Sequence, residues 1–280
     1  MPVSPSPAPA PALSAVVARL RAAGCVFAED EAELLLSAAR TPAELATLVE
    51  RRAIGHPLEH VLGWADFRGL RITVDPGVFV PRRRTEFLVE QALALTPPGA
   101  VVVDLCCGSG ALGTALVSAL PGRAELYAAD VDPAAVRCAR RNVAGVGGRV
   151  HVGDLYDALP VALRGRIDIL LANVPYVPTG EIGLLPTEAR VHEARVALDG
   201  GADGLDVLRR VTRAAVDWLA PGGHLLFETS ERQAGEAVET VTRDGLVPQV
   251  ASSDELYATV VIGTRPDVPG RTTASDEPRP

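Results

Sequence analysis

Val101-Val102-Val103-Asp104-Leu105-Cys106-Cys107-Gly108-Ser109-Gly110-Ala111-Leu112-Gly113 is the stretch that decides how this chain folds. Its first five residues are apolar but for one acid, the pattern of a strand buried on both faces in a parallel sheet. Glycines follow where the strand must turn into a helix carrying Leu112, Leu116 and Leu120. They let a ligand approach the backbone and the helix N-terminus closely. Gly108 to Gly113 satisfies G-x-G-x-x-G, and Asp130 lies about 20 residues on, closing the next apolar run. That pattern suits either a nicotinamide dinucleotide or S-adenosyl-L-methionine.

Outward from this loop the same texture repeats. Residues 126–130, 149–152, 167–171 and 224–227 are short apolar runs separated by helical or loop stretches. Such alternation predicts an α/β fold, a doubly wound parallel sheet with helices on both faces. Upstream the period changes to helical: Leu13, Val16, Val17 and Leu20 share one face, and Leu34 and Leu35 belong to a second pattern. Thr41-Pro42-Ala43-Glu44 opens a third, with Thr41 as N-cap, Pro42 in the first turn and Glu44 completing a capping box. From Phe67 to Val80 the pattern alternates, and Asp75-Pro76-Gly77 is expected to turn a hairpin between Ile72/Val74 and Val78/Val80. Prolines crowd both ends. The expected organisation is a proline-rich tail at 1–11, a helical domain with a hairpin at 12–80, an α/β domain at 81–264 and a second tail at 265–280.

Composition excludes several chemistries. All 27 basic residues of this 280-residue chain are arginine. Without lysine there is no P-loop, no pyridoxal Schiff base and no kinase strand lysine. The net charge of -8 argues against holding nucleic acid by bulk electrostatics. Cys25, Cys106, Cys107 and Cys138 fit neither a disulfide framework nor a CxxC metal site, which suits a reduced, cytoplasmic interior. Neither a signal peptide nor a run of about 18 apolar residues is present, so no membrane span is expected.

Acids at strand ends choose the ligand. Asp104 closes the first strand, where a carboxylate suits a methionyl ammonium and would repel a pyrophosphate. Asp130 is placed to accept from both ribose hydroxyls, with Val131 beside it. Asp132-Pro133 behind it reads as a helix N-cap and first turn. Asp154, with Leu155, follows the third strand, where a carboxylate accepts from an adenine amino group. Three acids around a sulfonium make chemical sense, and the expected cofactor is S-adenosylmethionine. Its expected holders are Asp104, Cys106, Gly108, Ser109, Gly110, Asp130, Val131, Asp154 and Leu155, together with Asn173.

The fourth strand runs into Ala172-Asn173-Val174-Pro175-Tyr176. Strand C-termini near a switch point are where open α/β sheets bind ligands. The Asn173 oxygen and the Val174 carbonyl are each positioned to accept one N–H of a planar amide or amine, while Pro175 stiffens the turn and Tyr176 packs on the group's face. The expected work is positioning and preorganised electrostatics rather than strong base catalysis.

Taken in order, these motifs resemble the HemK/PrmC family of protein glutamine-amide methyltransferases across roughly residues 55–262. Phe67-Arg68-Gly69 precedes Val80-Pro81-Arg82-Arg83-Arg84-Thr85-Glu86, similar to the family's I-P-R-x-x-T-E. Asp104 to Gly110 is similar to its D-L-G-x-G-S-G, and Asn173 to Tyr176 to its N-P-P-Y. Ala197-Leu198, Gly200-Gly201 and Asp203-Gly204-Leu205 resemble A-L-x-G-G-x-D-G-L, and Glu228 with Gln233 resembles E-x-G-x-x-Q. The resemblance implies a helical N-terminal domain on a seven-stranded, Rossmann-like methyltransferase sheet ending in an antiparallel hairpin. It implies methyl transfer to the glutamine of a Gly-Gly-Gln motif, most often in class I peptide chain release factors, with Arg82, Thr85, Glu86, Asn173 and Tyr176 on the acceptor side. Departures are Val174 for the first proline, Cys106 for a loop glycine, Arg83 and Arg84 for a proline and usually an acid, and Ala194 for a proline. Two rival readings are an N-methyltransferase for an exocyclic adenine amine or another amine, and a cofactor-binding protein that has lost transfer.

Other patterns carry no expected chemistry. His56-Pro57-Leu58-Glu59-His60 matches H-x-x-E-H, but Pro57 disfavours helical geometry at His56, so no metal is expected. His192 has no evident triad partner.

Overall fold

Thr41 shows how the N-terminal helices are punctuated. In the computed structural model, which describes residues 10–267, they are α1 (Ala10–Ala22), α2 (Ala28–Ala38), α3 (Pro42–Ala53) and α4 (Leu58–Leu62). Thr41 Oγ1 accepts the Glu44 N–H at 3.1 Å, and the Glu44 carboxylate accepts the N–H of Arg40 rather than that of Thr41. Val16, Leu20, Leu35, Val49 and Val61 bury against one another as a separate small core. The expected tails lie outside the described residues except for Ala10 and Pro11, which open α1, and 265–267, where Arg265 pairs with Gly222 and Gly223.

The hairpin forms earlier than its sequence pattern suggests. β1 (Trp64–Phe67) and β2 (Leu70–Thr73) pair antiparallel across Arg68-Gly69. Arg68 and Gly69 both have positive φ, 51° and 72°, as a two-residue hairpin turn requires. Asp75-Pro76-Gly77 does turn, with the Val78 N–H on the Asp75 carbonyl, but it joins no paired strands. Gly77 instead bridges Glu193 far along the chain, so the alternation after Val74 belongs to a buried linker.

The remaining elements build the sheet. A 3₁₀ turn at Arg83–Thr85 leads into α5 (Glu86–Leu95), then β3 (Val101–Leu105), α6 (Ala111–Ala119), β4 (Glu125–Asp130), α7 (Pro133–Ala144), β5 (Arg149–Val152) and β6 (Ile167–Ala172). A long connection holding α8 (Thr187–His192) precedes α9 (Asp206–Trp218), β7 (Leu219–Thr229), α10 (Ala234–Arg243), β8 (Val247–Ser253) and β9 (Ala258–Thr264). Seven strands run in the order β5-β4-β3-β6-β7-β9-β8, with β9 antiparallel to both neighbours. Every residue of β3 is buried, and its side chains alternate between two cores. Val102, Ile169, Leu171 and Leu226 meet α5, α6 and α7 residues on one face. Val103, Leu105, Leu170 and Phe227 meet Leu208, Val211 and Trp218 of α9 on the other. Strand order reverses at β3, so the crevice beyond the carboxyl ends of β3, β4 and β6 is the natural ligand site. Among the described residues no helix is long and apolar enough to cross a membrane.

Candidate active site

The loop after β3 is shaped by left-handed backbone. Cys106, Gly108 and Gly110 have φ of 54°, 53° and 75°. Cysteine pays a steric cost there that glycine does not. Asp130 ties the loop down: its Oδ2 accepts the Gly108 N–H and its Oδ1 the Asp132 N–H, both at 2.9 Å. Burial raises the Asp130 carboxyl, while these two N–H groups pull it back. Asp132 caps α7 through the Ala134 N–H at 2.8 Å. A cavity of about 280 Å³ opens above, walled by Cys106, Gly108, Ser109, Asp130, Val131, Asp154, Leu155, Asn173 and Pro175. Phe79, Pro81 and residues 194, 196 and 197 close the opposite side. Asp154 is ion-paired with Arg210 at 2.6 Å, both half-exposed.

Two expected cofactor residues are absent from that wall. The Asp104 side chain lies beneath the loop, 1% exposed, accepting the Gly113 N–H at 2.9 Å. The pleat sends it toward α6, and Gly113 leaves room, since a Cβ there would sit 3.1 Å from Asp104 Oδ2. Burial, with the Asp130 charge adding to it, pushes the Asp104 carboxyl up to about 7. Gly110 backs onto α7, where a Cβ would meet Val143 at 2.8 Å.

The turn after β6 supplies the acceptor chemistry. Asn173 Oδ1 is buried and has no hydrogen-bond partner, an acceptor kept free at the cavity wall. Val174 is 3% exposed and packs into the α9-side core, so its side chain takes no part in the wall. Tyr176 is held at both ends. Its carbonyl accepts from Gln233 Nε2 at 3.1 Å, and its hydroxyl donates to Glu228 at 2.8 Å and accepts from Arg84 Nη2 at 2.6 Å. Burial first, and then Glu228, raises the Tyr176 phenol, which stays protonated. Tyr176 itself lines not the first cavity, which Asn173 and Pro175 border, but a second, more open one that it shares with Arg84, Glu228, Thr229 and Tyr257.

Arg82, Thr85 and Glu86 line neither cavity. Arg82 pairs with buried Glu193 at 2.5 Å, Thr85 donates its hydroxyl to Glu228 at 2.7 Å, and Glu86 accepts the Arg68 N–H at 3.1 Å. They anchor the linker under the site. Arg84 and Glu228 border the second cavity although neither is among the expected site residues. Glu228 near the end of β7 carries the same signal as Asp130, an acid after an apolar strand; Arg84 is marked in the sequence only as a departure within the Val80–Glu86 motif. His56 lies ahead of α4 and packs against His192 with the rings tilted by 34°, their centroids 4.3 Å apart, while His60 Nε2 meets the Val78 carbonyl.

The residues present fit S-adenosylmethionine. Each Asp130 oxygen spends one lone pair on backbone and keeps another for a ribose hydroxyl, and among the described residues of this wall Asp130, Asp132 and Asp154 outnumber the one cation, Arg210, which suits a sulfonium.

The sequence pattern of the methyltransferase small domain matches residues 69–203. A release factor glutamine methyltransferase of Geobacter sulfurreducens is 38% identical over 80% of this chain and 79% of its own length. A 4-amino-L-phenylalanine/4-methylamino-L-phenylalanine methyltransferase of Streptomyces pristinaespiralis is 37% identical over 76% of this chain and 74% of its own. Among solved structures, a methyltransferase from Pyrococcus furiosus superposes with a TM-score of 0.54 over 81% of this chain and all of that one. At 16% identity this likeness establishes the fold alone.

Proposed function

Because this chain belongs to the release factor glutamine methyltransferase family, we propose that it methylates the side-chain amide nitrogen of a glutamine, in a Gly-Gly-Gln motif of a class I peptide chain release factor. The observation that carries this reading is the buried, unpartnered Asn173 Oδ1 at the wall shared with the cofactor cavity. A buried acceptor without a donor is costly, and a primary amide supplies one. Asn173 Oδ1 takes one amide N–H and the Val174 carbonyl the other, which turns the nitrogen lone pair toward the cofactor cavity. Tyr176 forms the face against which the planar group rests. S-adenosylmethionine, held by Asp130 and the Gly108–Gly110 loop, supplies an electrophilic methyl group on a sulfonium. The protein's part is orientation, in a site that offers no lysine and keeps the Tyr176 phenol neutral. The site of action we infer is cytoplasmic, where such a substrate would be met, and the net charge of -8 speaks against a nucleic-acid acceptor.

The test is mass spectrometry of a purified class I release factor after incubation with the enzyme and S-adenosylmethionine, with free 4-aminophenylalanine as the competing acceptor. Methylglutamine in the release factor is expected. Methylation of the free amino acid alone would transfer the reading to a small amine acceptor. Asn173→Ala should lower turnover by about 10²-fold or more while leaving cofactor affinity nearly unchanged. An active variant would remove the role given to Asn173.

A further inference from the structure

Arg84 comes from the 3₁₀ turn of the linker, Tyr176 from the turn after β6 and Glu228 from β7; three distant segments converge on one buried carboxylate. Glu228 is 3% exposed and accepts three donors: Arg84 Nε at 2.8 Å, the Tyr176 hydroxyl at 2.8 Å and the Thr85 hydroxyl at 2.7 Å. Arg84 Nη2 then reaches past Glu228 to the oxygen of the same Tyr176 hydroxyl at 2.6 Å. The phenol therefore has its proton committed to Glu228 and a lone pair committed to Arg84. A hydroxyl fastened on both sides cannot rotate its ring out of place without breaking a charge-assisted bond. The guanidinium fork permits this, since Nε and Nη2 address two different partners at fixed spacing. At the other end of the residue, Gln233 Nε2 ties the Tyr176 carbonyl. The intervening turn carries an ordinary residue, Val174, ahead of its single proline.

We propose that Arg84 is a positioning residue for acceptor transfer: it clamps Tyr176 against Glu228 and so fixes the wall on which the acceptor amide rests. This rests on the amide-acceptor reading above for its catalytic consequence, though not for the clamp itself. The competing description is an ion pair that only fastens the linker to the sheet.

The experiment compares wild type with Arg84→Gln and Arg84→Lys, reading amide hydrogen exchange and steady-state kinetics. With Arg84→Gln, exchange in 174–178 should speed by about tenfold or more. Turnover should fall by about 10- to 100-fold, as a wall displaced by a fraction of an ångström would cause. Cofactor affinity should stay unchanged. Arg84→Lys, which keeps the charge but loses the fork, should recover part of the turnover. On a Tyr176→Phe background, Arg84→Gln should add little, because the two act through one contact. Faster exchange confined to 82–86 with normal turnover would overturn the proposal, as would full additivity with Tyr176→Phe. The exchange arm needs no acceptor, so an enzyme that leaves release factors unmodified would sink the functional reading while the clamp is still decided.

Discussion

Asp104 and Asp130 carry one sequence signal, an acid closing an apolar run, yet their surroundings differ. Asp130 faces the cavity with backbone N–H groups on both oxygens; Asp104 is buried behind the loop with one. Its carboxyl rises from an ordinary 3.8 to about 7, burial being the first cause. The folded protein thus keeps a proton that the unfolded chain has lost between about pH 4 and 7, so stability from this group declines as pH rises through that window. Between pH 5 and 8, wild type should lose roughly 2 kcal/mol relative to Asp104→Asn, measured by urea denaturation at both values. A difference that does not change with pH would show that Asp104 stays ionised when folded. Periodicity picks out both acids but not the side of the pleat each occupies, because that depends on which helix packs where.

The connection from β6 to α9 shows what an element adds. Gly204 has φ of 84°, and a Cβ there would come within 2.3 Å of the Tyr176 carbonyl and 2.5 Å of Gln233 Nε2. Gly204→Ala combines left-handed strain with a backbone clash. It should cost about 2 kcal/mol or more in thermal or chemical denaturation and depress turnover by displacing the acceptor turn. A variant of normal stability and rate would mean the turn does not lean on this loop. The motif around Gly200 and Gly204 was legible as spacing, and its reason, backbone laid against backbone, needed the fold. The hairpin shift from Asp75-Pro76-Gly77 to Arg68-Gly69 has the opposite lesson. Arginine is a poor candidate for positive φ, so the strongest local turn chemistry pointed to the wrong pair of strands.

At the scale of the whole molecule, Arg52 joins the N-terminal helices to the connection that follows β6. It forks onto Glu31 at 2.6 and 3.0 Å, with both side chains 10% exposed, and reaches half-exposed Glu188 of α8 at 2.7 Å. Arg52→Ala leaves Glu31 buried without its cation and should destabilise by about 3–5 kcal/mol in chemical denaturation. Glu188→Ala, removing a half-exposed partner, should cost about 1 kcal/mol or less. Equal losses would mean that the contact with α8, rather than the pair within the helices, carries the stability.

Sequence alone determined the buried parallel strands, the glycine loop, the cap at Thr41 and the Asn173–Tyr176 turn, since each depends on residues within a few positions of one another. Seven strands in methyltransferase order followed from the resemblance those motifs carry. Tertiary structure alone decided that Asp104 sits behind the loop, that Thr85 and Glu86 anchor the linker, and that Arg84 meets Glu228 across 144 positions of chain. Local pattern records which face of an element is apolar. It does not record which charged groups meet once strand order closes the sheet, because that geometry exists only after the distant segments pack.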